Sequence, residues 1–191
     1  MDNVLDILSR EEFRKWLTDN SKTEKECYIK LKRGKPILND VFYYIDAVEE
    51  AICFGWIDST LIKINGESYN RFSPRSSKTN WTELNKERVR RLEKLGLMTD
   101  EGRNVLPDMG PRSFKIDPEI VEALKNNRCY KTFKSFPPLY QRVRASNLSF
   151  YKRLNKDAYE NALKHFINET KKKNMYGMWN DYGRLLNYWF S

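Results

Sequence analysis

The chain has 191 residues, 35 Lys and Arg against 26 Asp and Glu, and a formal net charge of +9. That length makes one domain, or one domain with a helical appendage, and suffices to bury a sizeable core. No run approaches the ~18 apolar residues of a membrane helix, so no membrane insertion is expected.

The opening MDNVLDILSREEF has no basic stretch ahead of an apolar one and does not read as a secretory signal. Ser9-Arg10-Glu11-Glu12 is a capping box, and Phe13, Trp16 and Leu17 form one face of the helix it starts. Cys27, Ile29 and Leu31 then alternate with Tyr28, Lys30 and Lys32, a half-buried strand that Arg33-Gly34-Lys35-Pro36 ends. Asn39-Asp40 is expected to open a second helix, with Val41, Tyr44, Ile45, Val48 and Ile52 on one face and Gly55 at its end. Cys27, Cys53 and Cys129 are widely spaced and form no C-x-x-C, which suits reduced thiols in the cytoplasm. Cys53 reads as a packing thiol. With one histidine, His165, on an amphipathic helix, neither a zinc cluster nor a Ser-His-Asp triad is expected, and no cofactor.

The richest stretch is Glu50–Leu92. Asn65-Gly66 between two β-rich runs predicts a hairpin over 57–74 with a type I′ turn. Continuing that register sets Thr60 opposite Arg71 and Asp58 opposite Ser73, so Asp58 becomes a same-face neighbour of Arg71. Ser73–Thr79 breaks the strand, and Asn80 with Glu83 three residues on predicts the next helix start. At ~100° per residue, Trp81, Leu84, Leu92 and Leu95 share a face with Asn85 and Arg88, while Glu83, Lys86 and Glu87 read as solvated. An inward Arg must be paired or must serve a ligand. Arg71, Arg75 and Arg88 converging beside a helix N-terminus would suit a small anion. Asn80 and Asn85 would add hydrogen bonds, Trp56 and Trp81 walls, and Asp58 would fix Arg71. Equally, Arg88 and Asn85 satisfy a buried carboxylate such as Asp58 or Glu50.

Three blocks here, Glu50–Asp58 (EAICFGWID), Arg71–Arg75 (RFSPR) and Asn80–Arg88 (NWTELNKER), resemble in order and spacing the YdeI/OmpD-associated, or bacteriocin-protection, family of bacterial proteins. The resemblance spans roughly Phe13 to Gly102. It implies a frataxin-like α+β sandwich, a cytoplasmic setting and a link to antimicrobial-peptide resistance, with no reaction attached. The chain departs from many members in the 147–156 run, which lacks their Trp and E-T-R. Met175–Leu185 is similar to a C-terminal motif of some Gram-positive members, in which Trp179, Asn180, Asp181 and Arg184 either dock the tail on the main site or act as a staple.

The C-terminal part differs in charge. Residues 1–60 carry 9 Lys/Arg and 12 Asp/Glu, and the other 131 carry 26 and 14, so the net positive charge arises there. Between Ala123 and Lys156 nine bases, among them Lys131, Lys134, Arg142 and Lys152, interleave with Tyr130, Phe133, Phe136, Tyr140, Phe150 and Tyr151. Such a mixture suits a nucleic acid, an anionic membrane surface or simply a solvated helical region with an aromatic core. Helices are predicted to open at Asp117-Pro118 and Pro137-Pro138 and to run from Asn155 to Lys173. The apolar end Leu185–Phe190 must bury against the chain's own core or a homodimer partner.

The expected architecture is α+β. Residues 1–110 form a small antiparallel or mixed sheet with helices on one face, and 111–191 a basic, mainly helical region. Three functions compete. One is an intracellular binding module for a small anionic ligand, using Trp56, Asp58, Arg71, Arg75, Asn80, Trp81, Asn85 and Arg88. The second is nucleic-acid binding through 123–156. The third is an enzyme with Asp58 or Glu50 as acid-base group, for which no second catalytic group is evident.

Overall fold

A computed structural model describes residues 3–38, 40–76, 79–110, 112–186 and 188. They divide into two units. The first holds the described residues up to Asn80 with 88–107 and 188, the second those of 81–87 and 108–186. The fold is α+β, a mixed four-stranded sheet in the first unit and helices throughout the second.

In the first unit, β1 (Val4–Leu5) runs parallel to β2 (Cys27–Ile29), and β2 and β3 (Trp56–Ile64) each pair antiparallel with β4 (Glu67–Pro74). The order is β1-β2-β4-β3. Asn65 and Gly66 both adopt positive φ, 49° and 83°, as the expected two-residue turn requires. Ile64 pairs with Glu67 as predicted, but the register then slips. Ser59 and Thr60 together oppose Arg71, and Asp58 faces Phe72 instead of Ser73. This β-bulge moves Asp58 to the opposite face of the sheet from Arg71. The predicted Asp58–Arg71 neighbourhood is therefore wrong.

The helices α1 (Arg10–Asn20) and α2 (Tyr44–Cys53) lie on the Phe72 face. Phe13 of α1 packs 5.4 Å from the Phe72 ring, and the Tyr44 hydroxyl of α2 bonds to Asp58, opposite Phe72. Ser9 caps α1 by accepting from the Glu12 amide, and Glu12 returns to the Leu8 amide, a close variant of the predicted box. The second helix opens later than expected. Tyr43 is held extended by a bridge to Lys32, and the Asp46 carboxylate caps its amide at 3.1 Å. The expected opening at Asn39 lies outside the described residues.

A short helix, missed in the sequence, seals the end of α2. It follows α3 (Glu83–Lys94) in the chain and is α4 (Asp100–Asn104). The Thr99 hydroxyl donates to the Cys53 carbonyl at 2.6 Å and accepts from the Gly102 amide. A Cβ at Gly102 would sit 2.1 Å from the Cys53 carbonyl, so only glycine permits this approach.

Opening α3, Thr82 and not Asn80 is the cap, accepting from the Asn85 amide at 3.1 Å. In the second unit Glu83, Lys86 and Glu87 are buried, against the expectation of a solvated face. They are tolerable there because Arg142 reaches both carboxylates, at 3.5 Å and 2.9 Å, and Lys86 pairs with Glu83. The rest of this unit is α5 (Pro118–Asn126), α6 (Tyr130–Ser135), α7 (Pro138–Leu154) and α8 (Lys156–Lys171). Asp117 and Asn155 cap α5 and α8, and proline stands in the first turn of α5 and α7, all as read from the sequence.

Candidate functional site

The candidate site builds on the bulge. Because Asp58 is turned to the helix side, its Oδ2 accepts the hydroxyl of Tyr44, the first residue of α2. Among the described residues no second hydrogen bond reaches this half-buried carboxylate. Arg33, from the loop after β2, lies over the Tyr44 ring at 4.4 Å, a cation–π distance. Arg75 follows β4, its amide donating to the Gly55 carbonyl at 2.9 Å, and it is only 7% exposed. Burial pushes its guanidinium down to about 10, with Arg88 of α3 pushing the same way and Asp58 opposing. Burial also raises the Tyr44 phenol, and Asp58 raises it further, while Arg88 and Arg33 oppose. Asp58 and Arg88 thus act on both buried Arg75 and half-buried Tyr44, and the exposed Arg33 acts on Tyr44.

A second charge cluster in the same unit is closed. Glu49 and Glu50 of α2 are both buried. Arg10 Nη1 meets Glu49 at 2.9 Å, and its Nε meets Glu50 at 2.5 Å. Arg91 reaches Glu49 at 2.6 Å, and Arg14 reaches Glu50 at 2.7 Å and the Leu97 carbonyl at 2.7 Å. Burial alone would lower the Arg10 pKa, but the two carboxylates outweigh it and raise it. Glu50 is therefore neither solvated nor placed as an acid-base group. It is held between two arginines. Cys53 beside it is a packing thiol, since burial pushes it up to about 12 with the Glu50 charge adding.

Of the eight residues singled out in the sequence, Asp58, Arg75 and Arg88 come together. Arg71 does not join them. It projects from the other face, where its Nε pairs with Glu26 at 2.7 Å and its Nη1 bonds Ser59 Oγ at 3.0 Å. Trp56 is no wall either. It is 1% exposed, donates to the Ser21 carbonyl and meets the Trp16 ring edge-on at 5.7 Å. Asn80 is an exposed loop residue, and Trp81 and Asn85 belong to the second unit. Of the loop ahead of them, Ser77 and Lys78 lie outside the described residues. Sequence reading missed Tyr44 and Arg33. Tyr44 did carry a signal, as the one polar tip on the otherwise apolar face of Val41, Ile45, Val48 and Ile52.

The aromatics of the basic C-terminal region are mostly interior. Phe133, Phe136 and Tyr140 belong to the second unit's core, and Tyr130 packs against it, leaving Phe150 and Tyr151 exposed. Several bases are engaged as well. Lys152 contacts Asp117 at 2.8 Å and Glu119 at 2.7 Å, Arg142 contacts Glu87, and Lys134 bonds Gln141. Trp179 meets Tyr140 edge-on at 5.5 Å, and Asn180 caps the turn before Gly183, so the 175–185 motif is a staple within this unit. Leu185 is buried, Leu186 is exposed, and Trp189 and Phe190 lie outside the described residues. His165 is exposed, its ring 4.5 Å from Tyr176. No group of three or more His, Cys, Asp or Glu among the described residues could hold a metal ion.

A family described as a domain of unknown function, DUF8412, matches residues 5–105, just over half of the chain. That span contains Arg33, Tyr44, Asp58, Arg75 and Arg88, and with them both charge clusters. No curated protein matches the chain, and neither does any solved structure. On the extent of that match, the chain belongs to the DUF8412 family.

Proposed function

We propose that the chain is a binding module for a small anionic ligand, held at Arg75, Arg88 and Arg33 beside the Tyr44–Asp58 pair. The observation that carries this reading is the buried Arg75. Burial disfavours its charged form, with Asp58 opposing and Arg88 adding, and a charge-assisted hydrogen bond to an anion would favour that form. Compared with the sequence reading, Arg71, Trp56, Asn80, Trp81 and Asn85 leave the site, and Tyr44 and Arg33 enter it. We place the module in the cytoplasm, a setting that suits its three free and buried cysteines. No helix among the described residues is long and apolar enough to cross a membrane. The link to antimicrobial-peptide resistance rests on the YdeI/OmpD-like motifs alone.

Isothermal titration with inorganic phosphate tests the reading. Arg88→Gln should weaken binding at least about tenfold, the loss of one charge-assisted hydrogen bond. An unchanged Kd would overturn the assignment. The nucleic-acid alternative retains the exposed Lys125, Arg128, Lys131, Arg153 and Lys156 with Phe150 and Tyr151. It lacks the interior aromatics as stacking platforms, which is why it ranks second.

A further inference from the structure

Helix α8 carries bases at both ends, and the second unit treats the two ends differently. Near its start, Lys156 pairs with Glu160 at 3.8 Å, and Lys152 of α7 reaches Asp117 at 2.8 Å and Glu119 at 2.7 Å. About 22 Å further along the helix axis, Lys171 donates to Asn127 Oδ1, at the end of α5, at 3.1 Å. That bond joins two basic runs. Arg128 follows Asn127 in the chain, Lys125 lies 5.6 Å from the Tyr130 ring, and Lys131 comes next. Lys172 and Lys173 continue from Lys171, and all of these bases are exposed. Lys172 pairs with Glu169 at 2.9 Å, while Lys125, Arg128, Lys131, Lys171 and Lys173 form no ion pair among the described residues. A helix dipole favours a base at each C-terminus but gives no reason for this number.

We propose that this end of the second unit is a contact surface for double-stranded nucleic acid, held through its phosphates without base readout. A small anion needs convergent donors, whereas these bases are spread over two helix ends and a turn. A duplex offers one phosphate charge about every 1.7 Å and can meet all of them at once. No apolar side chain is exposed between Lys125 and Lys131 or from Lys171 to Lys173, and Tyr130 is half-buried beside Lys125. Stacking on unpaired bases and insertion into a bilayer both need such side chains. The contacts are therefore electrostatic, indifferent to base sequence and steeply dependent on salt. This surface shares no residue with the Arg75 site and stands or falls separately.

The test is fluorescence anisotropy of a short labelled duplex DNA against the full chain over a range of salt. Five phosphate contacts predict a slope of about −4.5 for log K against log salt, a loss of about 500-fold between about 50 and 200 mM. Lys131→Gln with Lys173→Gln removes two bases that form no ion pair among the described residues, and should flatten the slope to about −2.7. Arg153→Gln with Lys156→Gln, at the opposite end, should leave it unchanged. No binding at about 50 mM or a slope shallower than about −2 would overturn the proposal. So would equal slopes for the wild type and the Lys131/Lys173 variant, or a slope flattened by the Arg153/Lys156 variant instead. Tighter binding of a single strand than of the duplex would overturn it as well, as would capture by phosphatidylglycerol vesicles with no binding to duplex.

Discussion

Helix α2 carries two charge clusters that the chain treats in opposite ways. At its C-terminal half, Glu49 and Glu50 are buried and met by Arg10, Arg14 and Arg91 in hydrogen-bonded ion pairs of 2.5 to 2.9 Å. At its first residue, Tyr44 leads to Asp58, which takes one hydrogen bond among the described residues and acts, with Arg88, on both Tyr44 and Arg75. The first arrangement is closed. Buried carboxylates are affordable only with such complete pairing, and once paired they have nothing left for a ligand. The second retains an acceptor on Asp58, which a ligand could use. Burial by itself does not mark function, and the balance between charges and partners separates the two.

Substitutions can break this contrast. The largest effect is expected from Glu49→Ala, which strips Arg10 and Arg91 of a partner in the interior. It should cost about 3–5 kcal/mol in chemical denaturation. A loss below about 1 kcal/mol would mean that the network is not closed. A smaller effect is expected at the open cluster. Tyr44→Phe removes one hydrogen bond to a half-buried carboxylate and should cost about 1 kcal/mol. The folded state holds the Tyr44 proton more tightly than the unfolded chain, because burial and Asp58 raise its pKa. Its contribution is therefore complete below about pH 10 and lost as pH rises further. Wild type and Tyr44→Phe should converge in stability above that range.

Arg71→Ala sharpens the comparison from outside. This pair with Glu26 is partly exposed on the other sheet face, so stability should change by less than about 1 kcal/mol and phosphate affinity not at all. A tenfold loss of phosphate binding would return Arg71 to the site. The smallest effect concerns Cys53. With its thiol pushed up to about 12, alkylation at pH 8 should proceed only in denaturant. Ready labelling of the native protein would show that the closed cluster opens.

The helix caps at Ser9, Asp117 and Asn155 were legible, as were the Asn-Gly hairpin and the proline-initiated helices α5 and α7, while the cap expected at Asn80 falls to Thr82. Short helices without an apolar period, α4 and α6, were not. The site was half legible. Asp58, Arg75 and Arg88 stood out as polar residues at element ends, while Arg71 was drawn in by extrapolating a regular ladder.

Sequence alone determined the longer segments and the starts of α1, α5, α7 and α8, because caps, turns and apolar periods act within a few residues. It also determined that the excess positive charge lies beyond residue 60. Tertiary structure decided which face each charge meets. One extra residue at Ser59-Thr60 sent Asp58 to Tyr44 and left Arg71 with Glu26, and side chains with a period of two change faces on a single slip. It decided the partners of Glu49, Glu50, Glu83 and Glu87 too, since pairing across distant segments depends on packing that no local pattern encodes.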